Sequence, residues 1–317
     1  MEPSVLSGNR FKLIFFGGKG GVGKTSCAVA TAISLSQKFR TLLVSTDPAH
    51  SVSDSLEQQL STEIQEVKNV ENLSAIEIAA DKAFENFKQQ YHKELNVFWK
   101  TSLGFDNEDV EQLLGLSVPG IDEIMSLKVI MEIIEKHEFE RYIVDMAPTG
   151  HALRLLASPH VLEQWIKVAA QIRWKYRYML TRFSGGYLPD STDDMLLNLK
   201  KTTRHIRELL CNNSACEFIA VCIPEAMAVR ETFRLLATLQ ENKMPVQQII
   251  INQVMSYGTC SFCLRKKEVQ QKYIKQVEET CRDCIEIRKV PSFPEEIKGI
   301  EKLNMLRETL WDCRKIK

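Results

Sequence analysis

The sequence predicts an α/β fold, a doubly wound and mostly parallel sheet, and three observations predict it. Short apolar runs that read as buried strands alternate along the chain with longer stretches that read as helices. Several of these runs end directly in Asp, Asn or Pro, the residues that turn a chain and collect a site at the C-terminal edge of a parallel sheet. A glycine-rich loop stands between the first strand and the first helix.

The first strand is Phe11-Lys12-Leu13-Ile14-Phe15-Phe16, and residues 27–35, compact and Ala-rich, read as a helix packed closely on a sheet. Between them lies Gly18-Lys19-Gly20-Gly21-Val22-Gly23-Lys24-Thr25-Ser26. Strand, Gly-x-x-x-x-Gly-Lys-Thr and helix together are the context of a phosphate-binding loop. The glycines let consecutive backbone N–H groups turn inward around phosphate oxygens, and the helix N-terminus adds partial positive charge. In that reading Lys24 lies along the β- and γ-phosphates of ATP and Thr25 offers its hydroxyl to Mg²⁺.

Lys19 places a second lysine inside the loop. Lys-Gly-Gly-x-Gly-Lys-Thr resembles the deviant loop of one class of dimeric P-loop ATPases. There the extra lysine reaches the partner's nucleotide and stabilises charge on the transferring phosphoryl group. The resemblance implies a homodimer whose closing is coupled to ATP, with Lys19 and Lys24 in catalytic roles.

Composition fits one cytosolic enzyme spanning residues 1–317. Of the 317 residues 44% are hydrophobic and 26% charged, ordinary for a globular protein, and large α/β sheets with helical insertions reach this length. Lys+Arg and Asp+Glu both number 41, so no global basic field recruits nucleic acid. The first ten residues are polar and do not resemble a signal peptide, and no apolar run approaches the roughly 20 residues that span a bilayer. Nine cysteines in a reducing compartment point, where paired, to metal or redox chemistry before structural disulfides.

In chain order, 41–46 is the second strand and runs into Asp47-Pro48-Ala49-His50. A carboxylate at that strand end sits near the phosphates and could orient the attacking water or take its proton. Asp before Pro is equally a turn former or cap, and both readings of Asp47 stand. Residues 73–78 form a short alternating strand. Residues 81–100 read as one helix, with Phe84, Phe87, Tyr91, Leu95 and Phe98 at three- and four-residue spacing. The strand 142–146 carries Asp145, the usual water-mediated Mg²⁺ partner, and leads to Ala147-Pro148-Thr149-Gly150-His151, a turn suited to sensing the γ-phosphate. His151 reads as a packing or capping residue. Residues 217–223 lead to Pro224-Glu225, and 246–251 lead to Asn252, whose amide carries the donor and acceptor that an adenine edge needs. A last strand, 284–290, ends at Pro291.

The loop, Ser45-Thr46-Asp47-Pro48-Ala49-His50, Pro119-Gly120-Ile121-Asp122-Glu123 and Asp145-x-Ala-Pro-Thr-Gly-His151 together resemble the ArsA-type ATPases over essentially the whole chain. The likeness is greatest to their eukaryotic branch, which delivers tail-anchored proteins to the endoplasmic reticulum membrane. The resemblance implies phosphate binding by residues 19–26, Asp47 as the catalytic aspartate of switch I, and 145–151 as switch II. It further implies nucleotide contacts from Asp145, Pro148, Glu225, Asn252 and Pro291. Cys260 and Cys263 would hold zinc shared across the dimer. A helical client-binding subdomain is implied at about 81–131 and 158–210. ATP, Mg²⁺ and Zn²⁺ are then the cofactors. Partners are a second copy, client transmembrane helices and a membrane receptor, and the location is cytoplasmic with peripheral attachment to the endoplasmic reticulum.

Two features depart from that pattern. A second pair, Cys281 and Cys284, suggests on spacing alone an intrachain four-cysteine site. Residues 264–280 between the pairs read as a helix without Gly or Pro, which at ~1.5 Å per residue holds them some 25 Å apart and favours the interfacial zinc. Residues 166–189 hold Lys167, Arg173, Lys175, Arg177 and Arg182 among Trp174, Tyr176, Tyr178 and Phe183. They read either as a surface for anionic headgroups or an acidic partner, or as a solvated helix face with buried aromatics. For the client groove, Phe98, Trp99, Leu103, Phe105, Leu113, Leu114 and Leu116 suit a trough and suit ordinary helix packing equally.

Overall fold

The computed structural model describes residues 13–47, 49–103, 121–146, 163–164, 166–171, 173–174, 178, 191–281 and 285–311. By internal contacts the chain divides into two compact units. One is Met1–Ala79, Glu132–Leu153 and Leu209–Lys317; the other is Ala80–Met131 and Arg154–Glu208.

The first unit is built on β1 (Leu13–Gly17), β2 (Thr41–Ser45), β3 (Gln65–Glu66), β4 (Leu73–Glu77), β5 (Arg141–Asp145), β6 (Cys216–Cys222), β7 (Val246–Val254) and β8 (Glu286–Pro291). They form one eight-stranded sheet in the order β3-β4-β2-β5-β1-β6-β7-β8. All neighbours are parallel except β3 with β4. The chain leaves β1 toward one side of the sheet and later returns to build the other, so the C-terminal end of β1 is the switch point where such sheets bind ligands. Register puts Phe16 opposite Asp145, Ser45 opposite Asp145 and Gly17 opposite Ala220. The acid of β5 therefore stands next to the glycine loop by strand pairing alone.

Leu13, Ile14, Phe15 and Phe16 are all buried, and Phe15 stacks on Phe218 at 4.8 Å. A strand covered on both faces needs apolar residues on both. The helix α1 (Lys24–Ser36) is buried on nearly every side, and its small residues let it sit close to the sheet. The C-terminal helix covers its outer face, where Trp311 Nε1 donates to Thr31 Oγ1 at 3.1 Å.

Strand bounds differ from the sequence expectation where partners decide them. β7 continues through Asn252 to Val254, because Val254 pairs with Pro291 across an irregular register in which Gln253 takes φ 57°. The last strand begins at Glu286 and includes Pro291. β3, two polar residues long, has no sequence signal.

In the second unit, Phe87, Met125 and Ile166 form a small core with Ala83, Phe84, Tyr91, Leu95 and Leu199 against it. The expected single helix at 81–100 is two, α3 (Ala80–Gln90) and α4 (His92–Leu103). Hydrogen bonds from Tyr91 N to Phe87 O at 3.0 Å and from Leu95 N to Tyr91 O at 2.9 Å carry the turn across the junction, so the apolar stripe stays in phase. Phe98 is buried. Phe105, Leu113, Leu114, Leu116, Pro119 and Gly120 lie outside the described residues. Of the described bases and aromatics in 166–189, Lys167 is exposed as a solvated face requires, but the others run against the reading of a basic face over buried aromatics. Arg173 is 2% exposed with Nε 3.6 Å from Asp193 Oδ1, while Trp174 and Tyr178 are exposed and stack at 6.1 Å.

Candidate active site

The phosphate loop is shaped from behind by β6 and β7. Asn252 Nδ2 donates to the Val22 carbonyl at 2.9 Å, and a Cβ on Gly23 would stand 2.3 Å from that same nitrogen. Gly23 has φ 90°, so a side chain there is excluded by conformation and by space together. A Cβ on Gly18 would lie 2.2 Å from the Val221 carbonyl oxygen of β6. The loop passes so close to the sheet that only hydrogen fits.

Lys24, the first residue of α1, is 6% exposed and its ammonium donates to the Lys19 carbonyl at 3.2 Å. Burial pushes its pKa down, partly offset by the charges of Asp145 and Asp47. Asp145 is fully buried and neither carboxylate oxygen has a hydrogen-bond partner. Burial pushes its pKa up to about 7, with the charge of Asp47 adding to the shift. The Thr25 hydroxyl and the Lys24 charge act against it, but neither closes a hydrogen bond to the carboxylate. Two bare carboxylate oxygens under a threonine hydroxyl and a lysine are an unfinished electrostatic arrangement, and a hydrated divalent cation fits it.

Asp47 leaves β2 with its N–H donating to Ser45 Oγ at 3.2 Å. Its Oδ1 accepts from Ala49 N at 3.1 Å, a turn-forming bond, and Oδ2 accepts from Ser51 Oγ at 3.1 Å. The Thr25 hydroxyl in turn donates to Ser51 Oγ at 3.3 Å. The turn role expected of an Asp before Pro is therefore present, and it aims the carboxylate at the same pocket as Thr25 and Lys24. Ser51, the bridge between them, was missed by sequence reasoning; a serine four residues past an aspartate is too common to signal anything alone. Glu225 is exposed and extended where β6 hands over to the helix Ala226–Glu241. Asn252 and Pro291 stand on the next two strands outward, while Pro148 lies outside the described residues.

The cysteine pair is remote from this loop in sequence. Cys260 precedes the helix Ser261–Cys281 and Cys263 lies in its first turn, with the sulfurs 3.1 Å apart. The Cys263 N–H donates to Cys260 Sγ at 3.4 Å, and together with the hydrogen bond between the two sulfurs it holds the Cys260 pKa below the usual thiol range, whereas that of Cys263, facing Cys260, is raised. Two adjacent thiols supply half of a tetrahedral zinc site. Among the described residues no three potential ligands come together. Cys281 is buried at the far end of the same unbroken helix, about 27 Å away at 1.5 Å per residue, so it cannot complete a site with Cys260 and Cys263. Cys284 lies outside the described residues.

A central parallel strand, a glycine loop, a lysine and threonine opening the next helix, and a buried acid ending the adjacent strand define a P-loop nucleotide hydrolase. Comparison narrows this class. The chain belongs to the ArsA ATPase family, described as anion-transporting ATPases, which matches residues 11–312. Among curated proteins it is 33% identical over 329 residues to "ATPase ASNA1 homolog 1" of Paramecium tetraurelia, covering 98% of this chain and 96% of that protein. It is likewise 33% identical over 324 residues to "ATPase GET3" of Podospora anserina, covering 98% of this chain and 94% of that protein. The protein is an ATPase of this family, and its cofactor is ATP.

Proposed function

We propose that this chain is the ATPase of guided entry of tail-anchored proteins. It takes up the single transmembrane helix of such clients in the cytosol and brings them to a receptor on the endoplasmic reticulum membrane. The observation that carries the reading is near-full-length similarity to proteins named ATPase GET3 and ATPase ASNA1, with the Cys260/Cys263 pair and Lys19 in this chain. In this reading the loop from Gly18 to Ser26 binds the phosphates of ATP. Thr25 and Asp145 would hold Mg²⁺, which would supply positive charge against the phosphates. Asp47 orients the attacking water, and Lys19 stabilises the partner's transition state.

A homodimer is supported by the half-site of two thiols and by its surroundings. Tyr257, Phe262, Leu264 and Val269 are exposed beside the pair, an apolar rim suited to cover by a second copy that brings the other two ligands. The helical unit is the client platform of this reading. Among the described residues no helix is long and apolar enough to cross a membrane. A client helix presents about 20 apolar residues over roughly 30 Å, more than one small helical unit covers, so two units across a dimer would line it. An arsenite-stimulated pump subunit shares the ATPase core, but the relatives this chain matches over nearly their full length are named ATPase ASNA1 and ATPase GET3. A DNA- or membrane-partitioning ATPase would lack the thiol pair.

Co-purification tests the proposal: the ATP-bound protein, expressed with a tail-anchored membrane protein, is expected to hold it soluble through its C-terminal helix, with one zinc per two chains. Charged replacements at Leu113 and Leu116 should abolish capture and leave basal ATP hydrolysis near normal. Capture at wild-type yield by those variants would place the groove elsewhere.

A further inference from the structure

Glu77 is the last residue of β4, 6% exposed, and its carboxylate makes three hydrogen bonds to the segment that follows Asp47. Oε1 accepts from the Ser53 backbone N–H at 3.1 Å and from the Ser53 hydroxyl at 2.9 Å. Oε2 accepts from His50 Nδ1 at 2.6 Å. None of these bonds is needed for the sheet, where β4 already pairs with β2 and β3. They fall on either side of Ser51, the residue that bridges Thr25 and Asp47.

Beyond these bonds, the segment is anchored by Val52 and Leu56, both buried in the main core. The helix that follows, α2 (Ser51–Leu56), has six residues, below the length at which helices sustain themselves. Its N-cap is His50, whose side chain makes no cap bond and whose backbone is left-handed at φ 52°. For a residue with a Cβ that conformation carries a steric cost. It also turns the ring back to Glu77, so the clasp offsets the cost of the turn that makes it possible.

We propose that Glu77 is a positioning residue for ATP hydrolysis: by clasping His50 and Ser53 it sets the place of Ser51, and through Ser51 the place of the Asp47 carboxylate beside Lys24 and Thr25. This rests on the reading of Asp47 as the residue that orients the attacking water.

The His50 prong also gives the hold a pH signature. The ring faces Glu77 from β4, with the charges of Asp54 from α2 and Asp47 from the loop before it, and it shares a cleft of about 600 Å³ with Glu57 and Lys298. The hydrogen bond and charge of Glu77, then Asp54 and Asp47, raise its pKa above the ordinary 6.5. A folded-state value that is raised gives a contribution fully present below 6.5 and lost as pH rises through the raised value. The clasp therefore loosens on the alkaline side.

The test measures kcat, KM for ATP, nucleotide affinity and thermal midpoint on the full chain for Glu77→Gln, His50→Ala, Ser53→Ala and Asp47→Asn. Glu77→Gln keeps the side-chain volume and an acceptor for Ser53 and removes the charge that faces His50. It is expected to lower kcat about tenfold with KM and nucleotide affinity within twofold of wild type. His50→Ala and Ser53→Ala should each lower kcat about threefold. In Glu77→Gln the alkaline fall of kcat should move to lower pH, since His50 loses the partner that raises its pKa. A wild-type kcat in Glu77→Gln beside an inactive Asp47→Asn overturns the inference and leaves the Asp47 reading intact. Turnover retained in Asp47→Asn overturns both. If Glu77→Gln does not fold, the exposed His50→Ala variant decides: unchanged kcat with an unchanged pH profile overturns the clasp.

Discussion

The nucleotide unit and the helical unit use helices in opposite ways. In the first, α1 is buried on nearly all sides, and the residues that matter are contiguous, since loop, lysine and threonine follow one another from Gly18 to Thr25. In the proposed reading backbone N–H groups and one helix terminus do the binding, so the chemistry is written in a run of eight residues. In the second, α3 and α4 bury single residues at helical spacing, such as Phe87 and Phe98, and leave others open. Val97, Val168, Trp174, Tyr178 and Leu197 are exposed there. The difference teaches where each unit's sensitivity lies: in local backbone geometry for the first, in the sum of a surface for the second.

The strongest way to break that contrast is Gly23→Ala. The left-handed φ of 90° and the 2.3 Å approach to Asn252 Nδ2 leave no room for a methyl group, so nucleotide affinity should fall by about a hundredfold or more. Equilibrium binding of a fluorescent ATP analogue reads it, and wild-type affinity would mean that the loop is not the site. Asp47→Asn should keep ATP affinity and lower turnover by about a hundredfold, because shape stays and the orienting charge goes. Turnover at the wild-type rate would return Asp47 to a turn former only. Lys19→Ala should lower turnover about tenfold and weaken ATP binding less, since its charge acts on the transition state. Equal losses in both would place Lys19 on the ground-state phosphates. At the small end, Phe87→Ala should cost the helical unit about 3 kcal/mol of stability, read by hydrogen exchange, with ATP turnover within twofold of wild type. Trp174→Ala, exposed by 65%, should change stability by no more than about 0.5 kcal/mol. A drop in turnover from Phe87→Ala as large as that from Lys19→Ala would erase the contrast.

Sequence reading reached Asp145, Lys24 and Thr25 because a strand end, a loop and a helix start are set by neighbours in the chain. It did not reach the Asn252 to Val22 bond, which joins residues 230 apart and braces the loop from behind. Glu77 read only as one position of the alternating strand 73–78, since nothing in Leu-Ser-Ala-Ile-Glu says that two residues past a distant turn will come to it. Arg173 read as one more surface base in a basic run, and its burial beside Asp193 depends on where another helix passes.

By itself the sequence determined the class of fold, the phosphate loop, the strand-end acids and the neighbouring thiols of Cys260 and Cys263, because periodicity, glycine spacing and strand termini act over a few residues. The tertiary structure alone decided the central place of β1 between β5 and β6, which puts the loop at the switch point. It also decided the strand lengths that pairing sets, the junction at Tyr91, and the bonds from Ser51 and Glu77 that aim Asp47. Those depend on which distant backbones come to lie 3 Å apart, and a local pattern carries no term for that distance.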